Sequence, residues 1–293
     1  MATTSTTTDP RSSDAADPAV LLEAARIAAG AAADHIRSLD RSAIDREDKT
    51  SAHDIVTIHD KRCEEIIVEN LERLVPGARI VGEEGGERAG ASDVTFFVDP
   101  IDGTSNFAAG MPLFCVSIGA AIGDELVAGV IDAPVLGQVF TAGPDGAFLN
   151  GERLHPHATR AERDALVLSG FPTTRDLAED AASAVEAEQE MLGRIGAVRN
   201  LGTAALELAW VAAGWADATM LTTINPWDVA AGFVLVRAVG GSIRTWPGAT
   251  GTDLPPHEHP AYVACRGPER LAVLDEIEER LQARREAGAT PTV

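Results

Sequence analysis

Residues 113–149 carry four short runs of small and β-branched residues at close intervals, and this spacing limits the fold more than any other feature of the chain. Leu113–Ile122 and Glu125–Ala133 flank Gly123-Asp124, and Gln138–Ala142 and Gly146–Leu149 continue the pattern around Gly143-Pro144-Asp145. Breaks of that composition turn a chain back on itself, so the four runs are predicted to form an antiparallel meander. Such a sheet must cover its apolar face, and the chain supplies a cover upstream. Asp17-Pro18 has the form of a helix N-cap followed by proline, and a helix is predicted through about Leu39, with Leu21, Ala24, Ala28 and Ala32 on one stripe. A second helix is predicted from about His59 to Leu74, where Cys63, Ile66, Ile67, Leu71 and Leu74 share a face and Pro76-Gly77 ends it. Ala78–Val81 and Thr95–Val98 are short apolar runs that end in acids.

After about Gly151 the texture alternates. Strands are predicted at Leu166–Leu168, Ala197–Asn200, Ala218–Leu221, Ser242–Thr245 and Tyr262–Ala264. Helices are predicted at Asp176–Leu192, Thr203–Ala213, Trp227–Ala238 and Pro268–Arg284. The expected organisation is therefore an α+β lobe over 17–150 followed by an α/β lobe over 151–285. The Thr/Ser/Asp-rich residues 1–16 are expected to be a disordered tail, 286–293 a polar tail, and 40–54 a mobile loop, since none has a period.

The 293 residues are 45% hydrophobic, enough for a substantial interior. With 45 Asp+Glu against 24 Lys+Arg, the net charge is −21. That balance repels phosphate backbones and anionic lipid surfaces, so neither nucleic acid nor membrane is expected as a partner. An anionic small molecule could still bind where cations reverse the local charge. The three cysteines, Cys63, Cys115 and Cys265, are far apart among apolar neighbours and fit neither a disulfide framework nor a thiolate zinc site. With no apolar leader and no run of transmembrane length, a cytoplasmic location is expected. The histidine pairs His155/His157 and His257/His259 lie in proline-containing loops without helical ligand spacing, and are expected at the surface.

Four stretches combine charge with unusual position: KTSAHDIVTIHD at 49–60, IVGEEGG at 80–86, VDPIDGTSNF at 98–107 and NPWDVAAG at 225–232. Each has an ordinary structural explanation. Glu83 and Glu84 suit a solvated turn, Asp60 a helix cap, and Asp228 the first turn of a helix, where the dipole favours an acid. In VDPIDGTSNF, however, an apolar strand ends on Asp99, and Asp102 follows three residues later. Pro100 and Gly103 force a turn there, and the N–H groups of Gly103 and Thr104 could form a nest for an anion. The stretch is not an EF-hand loop, because its acids lack the alternate spacing and its twelfth residue is Gly110; nor does a P-loop occur. Ligands that are carboxylates only suit Mg²⁺ or Mn²⁺ better than zinc. A pair of such ions is a recurring solution for phosphoester hydrolysis.

Taken together and in order, these motifs resemble the inositol monophosphatase family: K-x(4)-D-x-V-T-x-x-D at Lys49–Asp60, G-E-E at Gly82–Glu84, D-P-I-D-G-T-x-N-F at Asp99–Phe107 and W-D-x-A-A-G at Trp227–Gly232. The resemblance runs from about residue 19 to about 285. It implies a layered αβαβα sandwich of the inositol monophosphatase and fructose-1,6-bisphosphatase type, usually a homodimer, and a Mg²⁺-dependent, lithium-sensitive phosphomonoesterase acting on a small phosphate monoester. Carried over by position, Glu83, Asp99 and the Ile101 carbonyl would hold one metal, and Asp99, Asp102 and Asp228 a second. A weaker third ion would lean on Glu83. Thr104, paired with Asp60, would activate water, and the Gly103 and Thr104 N–H groups would hold phosphate. Gly202, Thr203 and Ala204 match a substrate-facing segment.

Two positions depart from the family pattern. Gly85 replaces a Ser/Thr after the glutamates. Leu221 replaces a glutamate that, seven residues before the tryptophan-linked aspartate, bonds substrate hydroxyls in inositol-cleaving members. Leucine cannot accept a hydroxyl hydrogen bond, so poor handling of inositol phosphate is expected. Another sugar phosphate, or histidinol phosphate, is the alternative substrate, and a catalytically silent metal-binding regulator the alternative of another class.

Overall fold

Each layer of the molecule begins from a face that cannot stay in water. In the computed structural model, which describes residues 17–40, 47–51, 54–56, 58–248 and 253–287, α1 (Pro18–Ser38) starts where Asp17 Oδ1 accepts the Ala19 N–H at 2.9 Å. Its buried stripe is almost all alanine, from Ala24 to Ala33 between Leu21 and Ile36. Small side chains let this helix lie close on a sheet. Beside it packs α2 (Ile58–Leu74), which buries Cys63, Ile67, Val68 and Leu71.

The sheet beneath them has eight strands. They are β3 (Arg79–Gly82), β4 (Gly86–Arg88), β5 (Val94–Asp102), β6 (Cys115–Ile122), β7 (Glu125–Ala133), β8 (Gln138–Gly143), β9 (Gly146–Leu149) and β10 (Glu152–Arg153), in the order 10-9-8-7-6-5-3-4. The meander expected over 113–149 is its central part, and every pairing is antiparallel except β3 with β5. A second sheet, in the order 12-11-13-15-14, comprises β11 (Leu166–Ser169), β12 (Ala197–Arg199), β13 (Ala218–Leu221), β14 (Ser242–Trp246) and β15 (Ala261–Cys265). Its first three strands run parallel, and β15 runs antiparallel to both its neighbours.

Between the sheets lie α5 (Ala204–Ala212) and α6 (Pro226–Ala238), buried on nearly every side as expected for an inner layer. One apolar cluster joins Phe97, Ile131 and Phe140 of the first sheet to Leu208 and Val234 of these helices and to Tyr262 of the second sheet. The far face of the second sheet is closed by α4 (Thr174–Arg194) and α7 (Ala272–Glu286), which contribute Ala184, Met191, Val273 and Ile277. The αβαβα sandwich implied by the sequence is the fold observed. The contact of α6 with the first sheet is very close. A Cβ on Gly119 would stand 2.5 Å from Ala230 Cβ, and one on Gly129 would stand 2.6 Å from the Ala231 carbonyl oxygen, so both positions require glycine.

Three expectations need correction. The loop predicted over 40–54 is in part an antiparallel ribbon, β1 (Glu47–Ser51) with β2 (Asp54–Val56), because backbone pairing needs no hydrophobic period. Its residues 41–46 and 52–53, like the tail predicted over 1–16, lie outside the described residues. The C-terminal tail predicted from 286 begins later, since α7 includes Glu286, and 288–293 lie outside the described residues. His257 is buried, 3% exposed, with its ring 5.0 Å from that of Phe97, and burial pushes its imidazole down to about 4. Among the described residues no helix is long and apolar enough to cross a membrane.

Candidate active site

Side chains three apart on a regular strand point to opposite faces, so Asp99 and Asp102 could not meet if β5 were regular. It is not. Asp99 pairs with Ser117 but Asp102 with Cys115, so one extra residue is inserted between them, and Pro100, which has no N–H to give the ladder, sits within the irregularity. The carboxyl groups are thereby turned together, and both are buried. Asp228 enters from the first turn of α6, held there by the Asn225 N–H on its Oδ2 at 2.9 Å. One carboxylate oxygen from each of Asp99, Asp102 and Asp228 lies within 4.8 Å of the others.

These acids are held under electrostatic load. Burial is the largest cause for each, and mutual repulsion adds to it. Asp99 is pushed well above the usual carboxylate range, Asp102 up to about 6 and Asp228 up to about 7. Glu83, half-buried in the turn after β3, contributes to the repulsion on all three. An all-oxygen donor set that repels itself is the environment a hard divalent cation satisfies, and the residues present fit Mg²⁺ or Mn²⁺.

Gly103, at φ 95°, turns the chain from β5 into the short helix α3 (Thr104–Ala108). A side chain there would meet Leu113 O at 3.0 Å and Gly202 O at 3.3 Å, so two loops from different layers close against it. Thr104 Oγ1 stands 3.0 Å from Asp60 Oδ1 and 3.1 Å from Ile101 O, and its one hydrogen serves these two acceptors. Asp60 is fully buried in the first turn of α2. The structure thus brings together Asp60, Asp99, Ile101, Asp102, Gly103, Thr104 and Asp228.

The 202–204 segment is oriented differently from the expectation that it faces substrate. Gly202 is exposed, but Thr203 and Ala204 are buried and their polar atoms turn onto Asp102. Thr203 Oγ1 donates to Asp102 Oδ2 at 2.7 Å, and the Ala204 and Ala205 N–H groups donate at 3.3 and 2.6 Å. The free N–H groups at the start of α5 account for this, since a buried carboxylate is their natural partner. Leu221 closes β13 opposite Tyr262, half-buried against the central cluster. Lys49 lies on β1, in the ribbon preceding α2.

Three polar residues that sequence reasoning passed over support the site. Glu64 is buried on α2 and accepts the N–H groups of Glu84 and Gly85 at 2.8 and 2.6 Å, pinning the turn that presents Glu83. Its place four residues after Asp60, on the same helix face, was the available signal. Asn106 Nδ2 donates to both Leu113 O and Leu201 O at 2.7 Å, tying the two loops around Gly103. Glu207, an acid within the otherwise apolar ALELAW, accepts from Leu201 N at 3.2 Å and Thr219 Oγ1 at 2.9 Å; burial raises it to about 7.

Comparison with known proteins points to one family. The model of the inositol monophosphatase family matches residues 17–281. The chain is 35% identical over 217 residues to Nus factor SuhB of Pseudomonas aeruginosa, covering 73% of this chain and 80% of that protein. It is 36% identical over 203 residues to a fructose-1,6-bisphosphatase/inositol-1-monophosphatase of Thermotoga maritima, covering 69% and 75%. Among solved structures, the extragenic suppressor protein suhB of Bartonella henselae superposes with a TM-score of 0.74 at 31% identity, over 90% of this chain and 97% of that one. The inositol monophosphatase of Anabaena gives 0.72 at 28% identity, over 93% and 97%. Sequence and layering lead to the same place, and the chain belongs to the inositol monophosphatase family of metal-dependent phosphatases.

Proposed function

We propose that the chain hydrolyses a small phosphate monoester, of a polyol or sugar type, in a Mg²⁺-dependent reaction. The observation that carries this reading is the convergence of Asp99, Asp102 and Asp228 beside the Thr104–Asp60 pair. Asp99, Asp102, Asp228, Glu83 and the Ile101 carbonyl would hold two or three ions. When bound, the metal supplies Lewis acidity toward water and the phosphate oxygens. The chain's own groups do the rest. When the Thr104 hydroxyl gives its proton to Asp60, the nearer of its two acceptors, Oγ1 can accept a hydrogen bond from the attacking water, and buried Asp60 stands behind it as the eventual proton acceptor. The N–H groups of Gly103 and Thr104 bind phosphate oxygens at the turn where φ is 95°. Attack is in line, and no covalent phospho-enzyme is needed.

Leu221 favours a leaving group other than inositol, and histidinol phosphate is the second substrate candidate. The relatives named Nus factor make a silent regulatory role the reading of another class; the intact acid set and the Thr104–Asp60 pair favour catalysis. A homodimer and a cytoplasmic location accompany this reading, as does division into lobes at about residue 150, supported by the eight-stranded sheet closing at Arg153. The test is phosphate release from a panel of monoesters with and without Mg²⁺. Release that needs Mg²⁺ and vanishes in Asp99→Asn is expected; full activity in that variant would overturn the assignment of Asp99.

A further inference from the structure

The residue after Leu221 is held by a network that the proposed chemistry does not use. Thr222, 1% exposed, has its Oγ1 2.9 and 2.8 Å from the two carboxylate oxygens of Asp176, near the start of α4. Its carbonyl accepts from Arg285 Nη1 at 2.7 Å, near the end of α7. Arg285 closes the triangle, donating from Nη2 to Asp176 Oδ1 at 2.9 Å and from Nε to Glu179 at 3.0 Å. Asp176 is 3% exposed, the Arg285 side chain 12%, and the Thr173 N–H adds a bond to Asp176 at 2.7 Å.

Two helices from distant parts of the sequence thus converge on Thr222, α4 through its hydroxyl and α7 through its carbonyl. A buried ion pair is no better for stability than apolar packing, whereas a guanidinium fork fixes direction. What it fixes here is the exit of β13, where Leu221 meets the segment leading to α6. Asp228 has its own anchor in the Asn225 N–H, so the freedom this network removes belongs to residues 221–224. Arg285 also lies four residues beyond the stretch matched by the family model, which ends at 281.

We propose that Arg285 and Asp176 are positioning residues that set the conformation of residues 221–224, and through it the affinity for the substrate's leaving group, without a part in holding metal. This rests on the phosphomonoesterase reading above. The test compares wild type with Arg285→Met, Arg285→Lys, Thr222→Val and the Arg285→Met/Thr222→Val double variant. Steady-state kinetics use the best monoester of the panel, and amide hydrogen exchange is followed by mass spectrometry.

Arg285→Met raises KM about tenfold, which is ~1.4 kcal/mol, and leaves kcat and the Mg²⁺ half-saturation unchanged. Exchange quickens at 221–225 and stays as it was at 99–104. Arg285→Lys recovers part of the KM, and the double variant is no worse than Arg285→Met, because the two side chains act as one unit. An unchanged KM with unchanged exchange overturns the proposal. So does a loss spread equally over KM, Mg²⁺ half-saturation and exchange at 99–104, which would mean general loosening. If wild type releases phosphate from no ester, the phosphomonoesterase reading fails, while exchange at 221–225 still decides whether Arg285 positions this segment.

Discussion

Replacing Thr203 by valine removes one hydroxyl and keeps the shape of the side chain. In the structure that hydroxyl is 2.7 Å from Asp102 Oδ2 and is one of four donors on this carboxylate, with the Ala204 and Ala205 N–H groups and, weakly at 3.8 Å, the Cys115 thiol. A hydrogen bond to a charged, buried acceptor contributes about 1.5–3 kcal/mol. Its loss falls on the ionised form of Asp102, which burial already raises to about 6, so the pKa rises further. If Asp102 must be ionised to hold Mg²⁺, that energy reappears as a weaker apparent affinity, by about 10- to 150-fold. The assay is phosphate release against Mg²⁺ concentration at pH 7 and pH 8.5. Thr203→Val is expected to move half-saturation upward, more at the lower pH, with kcat at saturating Mg²⁺ largely restored. Thr203→Ser, which keeps the hydroxyl, is expected to behave as wild type. A valine variant with the wild-type Mg²⁺ curve at both pH values would refute the reasoning, since Asp102 would then not depend on this donor.

The raised acids also set a pH dependence. For a carboxylate whose folded-state pKa lies above its unfolded value, stability is lost as pH rises from the unfolded pKa through the folded one. With Asp102 at about 6 and Asp228 and Glu207 at about 7, thermal melts in EDTA are expected to show falling Tm between pH 4 and pH 7.5. Mg²⁺ should flatten that slope, and a Tm that rises with pH in EDTA would contradict it. At the substrate end, Leu221→Glu is expected to raise kcat/KM for inositol-1-phosphate by one to two orders of magnitude, about the worth of one well-placed polar contact. An unchanged value would remove Leu221 from the account of specificity.

The elements legible in the sequence were those whose signal is local. The reading of Glu125–Ala133 matches the strand to the residue, and a strand near Ala218–Leu221 is found there, because turn residues and β-branched content mark their ends. The strands β4 and β10, three and two residues long, were not foreseen, since they are defined by the neighbour they pair with. The site divides in the same way. Asp99, Asp102, Thr104 and Asp228 announce themselves by acids set against prolines, glycines and helix starts. The irregularity of β5 that turns Asp99 and Asp102 together becomes visible only when Ser117 and Cys115 are paired opposite them. Glu64, Asn106 and Glu207 are hard to read for a related reason: each holds a loop or strand outside its own element, at Glu84 and Gly85, at Leu113 and Leu201, and at Leu201 and Thr219, and those partners are known only from the fold.

The seating of α6 on Gly119 and Gly129 bears on the tolerance of the site. Asp228 rides on that helix, while Asp99 and Asp102 ride on the sheet beneath it. The spacing among the three carboxylates is therefore gauged by a backbone contact that touches none of them: its helix side, Ala230 and Ala231, follows Asp228 by two and three residues, and Gly119 on its sheet side pairs with Phe97, two residues before Asp99. Oxygen-to-cation distances for a small hard ion span only a few tenths of an ångström. A shim one methyl thick between helix and sheet is larger than that margin. The fit for the ion is in this sense machined into the interior of the sandwich, and the acids at its edge inherit it.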